Sequence, residues 1–169
     1  FRSEQNKKGR FVFFNDGNGK SSRQKEVGET GGIYDVATTD FAEVVATAKQ
    51  CMKAGKGGGE MMENDVEAIL RGIELCPDCE EVILIADNWE NMRDFELIDF
   101  IRKPVRVILC GARDIINTEY LYLAKATNGS LHTMHEDLKN MSALKEREEI
   151  QIGATRYRIL GGQFVPVFD

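Results

Sequence analysis

Apolar residues in this chain fall into short runs divided by glycine, asparagine and charged residues, and the spacing inside each run separates strands from helices. Phe11 to Asn15 reads as a strand. The stretch from Asp16 to Ser22 that follows reads as a turn, with glycine and asparagine at left-handed positions. Ile33 to Val36 predicts a short, edge-like strand. Thr39 and Asp40 cap a helix whose Phe41, Val44, Val45, Ala48 and Met52 share one face, and that helix runs into Gly55 and the triple glycine Gly57-Gly58-Gly59.

From Asn64, a second capping residue, the next helix carries Val66, Ile69, Leu70 and Ile73 on one side and closes at Cys76-Pro77. The strand EVILIADN (Glu81 to Asn88) comes next and ends in a carboxylate, Asp87. Beyond it the pattern predicts a helix around Phe95 to Ile101, a strand VRVILCG, a helix around Thr118 to Ala126, a strand SLHTM, and a last helix opening near His135 to Asp137. Such alternation predicts an α/β fold with a mainly parallel sheet and helices on both faces. Ligands of such sheets sit at the carboxyl ends of the strands, which singles out Asp87. After Leu144 the texture changes to alternating residues with turns at Gly153-Ala154 and Gly161-Gly162, a small antiparallel meander.

Composition narrows the function. With 169 residues, 42% hydrophobic and 30% charged, the chain has enough material for a core. A net charge of -6 and a pI near 5.1 argue against nucleic acid or an anionic membrane as partner, because phosphate binding needs a basic face. No run approaches the roughly 18 apolar residues that cross a bilayer. Localisation is not legible from the polar N-terminal arm, so an exported, periplasmic or cytoplasmic setting stays open.

Several motif-like stretches fail on inspection. Gly19-Lys20-Ser21 resembles a phosphate loop, but Phe14 stands where the leading glycine belongs, and Arg23 to Gly32 is polar and glycine-broken where a helix should follow. Asp16 and Asn18 resemble the start of a calcium loop, but Lys20 replaces the third ligand and Val27 the terminal glutamate. Cys76-Pro77-Asp78-Cys79 has redox or zinc spacing, yet it follows a helix instead of opening one, and His132 and His135 do not suit a zinc set. A structural or loop thiol pair, a disulfide, and metal or redox chemistry all remain open for Cys76 and Cys79. Cys110 ends an apolar run and reads as core. No serine lies in a G-x-S-x-G elbow, and His132 reads as a strand-end side chain satisfied by backbone.

The succession GGGEMMENDVEAILRGIEL, EVILIADN, PVRVILCG and NTEYLYLAKATNGSLHTMHEDL resembles a von Willebrand factor A (VWA) domain of the bacterial kind over about Phe11 to Leu138. The resemblance implies a doubly wound sheet in a Rossmann-like, three-layer sandwich, which assigns residues 1–145 to the α/β domain; residues 146–169 are the β appendage read from the change of texture. It also implies a protein-binding module, not an enzyme, with a MIDAS-like divalent cation (Mg, Ca or Mn) at the sheet's carboxyl edge, since hard cations take oxygen ligands. Asp87 and Glu60 would be metal ligands; Gly58, Gly59, Glu63, Asn88 and Trp89 would line the ligand edge. Trp89 reads equally as a contact residue or as a cover over the following helix. The family's Asp-x-Ser-x-Ser motif is absent from the sequence. Either the first strand lies upstream of Phe1, in which case unpaired edges favour a strand-exchanged or self-associated oligomer, or the domain binds without metal, as an interaction or scaffold module. The alternative from another class is a thiol- or metal-dependent enzyme centred on Cys76 and Cys79 or on Asp87, for which the sequence offers no base or activated thiol in a convincing position.

Overall fold

A computed structural model describes residues 9–56, 61–113 and 115–168. They form two compact units. One comprises the chain up to Asp78 with Met92–Leu97; the other comprises Cys79–Asn91 with the chain from Ile98 onward.

In the first unit, β1 (Gly9–Phe14) pairs antiparallel with β2 (Ile33–Thr38), setting Phe11 opposite Val36 and Phe13 opposite Tyr34. Asn15 N donates to Gly32 O at 3.0 Å to close the connection. Gly32 has φ +78°, and a Cβ there would lie 2.8 Å from Asn15 O, so a larger residue does not fit. Helix α1 (Phe41–Gly55) opens on Asp40, whose carboxylate accepts from Ala42 N at 2.8 Å. Val44, Cys51 and Gly55 are buried, whereas Phe41 and Met52 are 67% and 74% exposed. The expected apolar face is therefore rotated. Apolar residues occupy most of this helix's circumference, so spacing alone does not choose which stripe packs. Helix α2 (Asp65–Leu75) buries Val66, Ala68 and Ile69.

In the second unit, β3 (Val82–Asp87), β4 (Val105–Cys110) and β5 (Ser130–His132) are parallel neighbours, and β6 (Asp137–Leu138) runs antiparallel beside β5. Leu84, Val105, Val107, Leu109 and Leu131 are buried on one face of this sheet, with helix α3 (Thr118–Ala126) against β4 and β5. On the other face Ile83, Ile85 and Ile108 are exposed. Thr127 Oγ1 ends α3 by donating to Leu123 O and accepts from Val105 N, tying the helix to β4. At Gly129 a Cβ would meet Val105 O at 1.9 Å, which requires glycine before β5. Strands β7 (Glu149–Ile152), β8 (Thr155–Leu160) and β9 (Gln163–Val167) form an antiparallel sheet. Its buried Tyr157 hydroxyl accepts from Ile116 N at 2.7 Å.

The doubly wound, mainly parallel sandwich is overturned. The strands belong to three separate sheets: two are small and antiparallel, and the four-stranded one is mixed. Strand β3 shows why. Its unbroken VILIA run reads as buried on both faces, yet its residues alternate between covered and exposed. The last expected helix is also absent. Thr133 Oγ1 accepts from His135 N and Glu136 N, and this local turn leads into β6 in place of a helix. Phe95–Phe100 is a 3-10 helix, not an α-helix. Among the described residues no helix is long and apolar enough to cross a membrane.

Candidate functional site at the carboxyl end of β3

Asp87 ends β3 in register with Cys110 of β4, and both are exposed. The Asp87 carboxylate accepts from Trp89 N at 2.9 Å, a short side-chain bond that turns the chain as it leaves the sheet. Asn88, half-buried, fixes the turn from the other side: its Oδ1 accepts from Asn117 N at 2.8 Å, and its Nδ2 donates to Ile115 O at 2.7 Å. Asn117 donates through Nδ2 to Glu90 O at 2.8 Å while its Oδ1 accepts from Glu119 N at the start of α3. The turn from Asp87 to Glu90 is thus held by side-chain bonds on both flanks. At its tip Trp89 is 78% exposed.

This edge does not assemble a cation shell from the described residues. Asp87 brings one carboxylate, and both polar atoms of the Asn88 amide are engaged. A calcium ion takes six to eight oxygens, and magnesium six. Among the described residues no group of three or more His, Cys, Asp or Glu side chains is arranged to hold a metal. Gly58, Gly59 and Glu60, expected at the metal edge, lie outside the described residues. Glu63 belongs to the first unit, where its side chain is exposed and its carbonyl accepts from Arg93 N at 2.8 Å. Cys76 and Cys79 are disulfide-bonded. Cys51 and Cys110 are free; Cys51 is buried, and burial pushes its thiol pKa up, whereas Cys110, expected in the core, is exposed on the sheet's open face.

Two polar groupings were not legible in the sequence. In the first unit the buried carboxylates of Asp94 and Glu67 serve backbone donors. Asp94 accepts from Val66 N at 3.2 Å and Glu67 N at 2.6 Å, capping α2 in place of Asn64, whose side chain makes no capping bond. Glu67 accepts from Gly28 N, Thr30 N and Thr30 Oγ1, and Asp16 pairs with Lys25. Burial raises the Asp94 carboxyl to about 6, partly offset by the backbone donors.

The second grouping lies on β5 and β6. His132 Nδ1 meets Asp137 Oδ1 at 2.6 Å, and its Nε2 meets Ser130 Oγ at 2.9 Å. His132 is thus satisfied by two side chains, not by backbone. The His132 bond holds the Asp137 carboxyl below its ordinary range. The available signal was alternation: Ser130 and His132, two apart on a strand, must share a face. Asp137 was hidden because its segment read as helix.

Comparison with protein-family models, curated proteins and solved structures finds no match for this chain.

Proposed function

We propose that the chain is a protein-binding module whose contact surface is the turn at the carboxyl end of β3, with Trp89 as its anchor. The observation that carries this reading is a 78% exposed tryptophan on a turn braced by Asp87, Asn88 and Asn117. Tryptophan is enriched at interface hot spots, and a side chain presented on a pre-ordered backbone loses less freedom on binding. The acidic charge of the chain favours a partner with a basic or neutral surface. Cation dependence, implied by the VWA resemblance, is the finer part of the proposal; it requires oxygens beyond Asp87, and Glu60 is the sequence's candidate.

The test is affinity capture with the wild-type chain and Trp89→Ala, quantified by isotope-labelled mass spectrometry in magnesium and in chelator. A partner enriched by wild type and lost with Trp89→Ala supports the surface, and its loss in chelator supports the cation. Equal capture by both proteins moves the interface elsewhere.

A further inference from the structure

The Ser130, His132 and Asp137 side chains form a hydrogen-bonded row on the open face of the four-stranded sheet. Leu131 between them is fully buried with Val107, so Ser130 and His132 point away from the core, in register with Arg106 and Ile108 of β4. Asp137 is the cross-strand partner of His132 on β6. In the tautomer that donates Nδ1–H to the Asp137 carboxylate, the Nε2 lone pair of His132 faces the Ser130 hydroxyl at 2.9 Å. This is the order of roles that activates a serine: carboxylate, imidazole, hydroxyl. The His132 side chain is 22% exposed and Ser130 is half-buried, so the group meets solvent.

We infer that Ser130 is an activated nucleophile toward small esters with an apolar acyl group, with His132 as its general base and Asp137 as the positioning residue. Arg106 is the cross-strand neighbour of Ser130 on β4, and its guanidinium is bound to Glu81 at 2.8 Å, on the β3 side. Ile108, beside His132, and Ile85, the next residue across the sheet, offer an exposed apolar floor for the acyl chain.

Ser130 Oγ attacks the ester carbonyl carbon as its proton passes to His132 Nε2. Collapse of the tetrahedral adduct breaks the bond to the alkoxide oxygen, which leaves as alcohol with that proton. Water then attacks acyl-Ser130 and gives a proton to His132, releasing the carboxylic acid and restoring the Ser130 hydroxyl. Ester and water become acid and alcohol, with no other reactant. This activity is separate from partner binding at Trp89.

The experiment treats the full chain with diisopropyl fluorophosphate, maps the adduct by peptide mass spectrometry, and follows p-nitrophenol release from p-nitrophenyl butyrate. One adduct per chain on Ser130, with loss of fluoride, is expected. Ser130→Ala should abolish it, and His132→Gln should slow both reactions by about 100-fold or more, the usual range for a general base. Asp137→Asn should lower kcat with KM unchanged, and Asp137→Glu should recover part of the loss, which a merely structural role would not produce. Ser142→Ala, with circular dichroism on every variant, serves as control. Absence of a Ser130 adduct in the folded wild-type chain, or labelling unchanged in His132→Gln, overturns the proposal.

Discussion

Carboxylates do opposite work in the two units. In the first, Asp94 and Glu67 are buried, and their oxygens are filled by backbone N–H groups and by Thr30. In the second, Asp87 and Asp137 stand exposed at strand ends, each engaged by one local group. A buried carboxylate with filled lone pairs organises the chain and has little left for a ligand. An exposed one that fixes its own turn leaves neighbours such as Trp89 in position for contact.

The largest expected loss of stability lies at Glu67. Glu67→Ala strands the N–H and hydroxyl donors of the fully buried Thr30 and takes a partner from Gly28, and should cost about 3 kcal/mol in urea unfolding. Asp87→Ala, at an exposed strand end, should cost about 0.5 kcal/mol. Equal losses would erase the distinction.

Asp94 gives the first unit a pH-dependent stability. Its folded carboxyl titrates near 6, above the ordinary 3.8, so the folded chain holds the proton more tightly than the unfolded chain does. The contribution from this group is therefore fully favourable below about pH 4, falls as pH rises through about 6, and is level beyond; the whole change is about 3 kcal/mol. Asp94→Asn removes that slope, and the difference between wild-type and variant unfolding free energies from pH 4 to 8 measures it. A difference that does not vary with pH contradicts the assignment.

Asn88→Ala should cost about 1.5 kcal/mol, since it leaves Ile115 O and Asn117 N without their partner. Trp89→Ala should change stability by under about 0.5 kcal/mol, because an exposed side chain contributes little to folding. A larger effect from Trp89 than from Asn88 would make the tryptophan a covering residue.

These contrasts also mark what the sequence disclosed. Strands β3 and β4 and helices α2 and α3 were legible because their apolar runs end at local punctuation: Asn64 before α2, Cys76-Pro77 after it, and the Thr127–Gly129 turn after α3. Sheet membership was not legible. It depends on which strand each edge meets, and the VILIA run of β3 does not record that one of its faces stays open. Asp87, Asn88 and Trp89 were singled out as candidates from their place at a strand end, and the structure puts them on the turn that leaves β3. Asp94 was not, because it lies far along the chain from the helix it caps, and no local pattern links Asp94 to Val66. Ser130 and His132 shared a visible alternation, but their third member needed the turn at Thr133 that brings Asp137 back beside the strand.

Trp89 is the chain's single tryptophan, so its fluorescence reports on this site alone. The most direct test of the binding surface is acrylamide quenching of that emission, in the isolated chain over a range of concentrations and again with the captured partner. The account predicts quenching close to that of a free tryptophan analogue in the dilute isolated chain, with protection and a blue shift once the partner is bound. Protection that rises with concentration would make the partner a second copy of the chain. A tryptophan already shielded in the dilute, isolated chain would contradict the account.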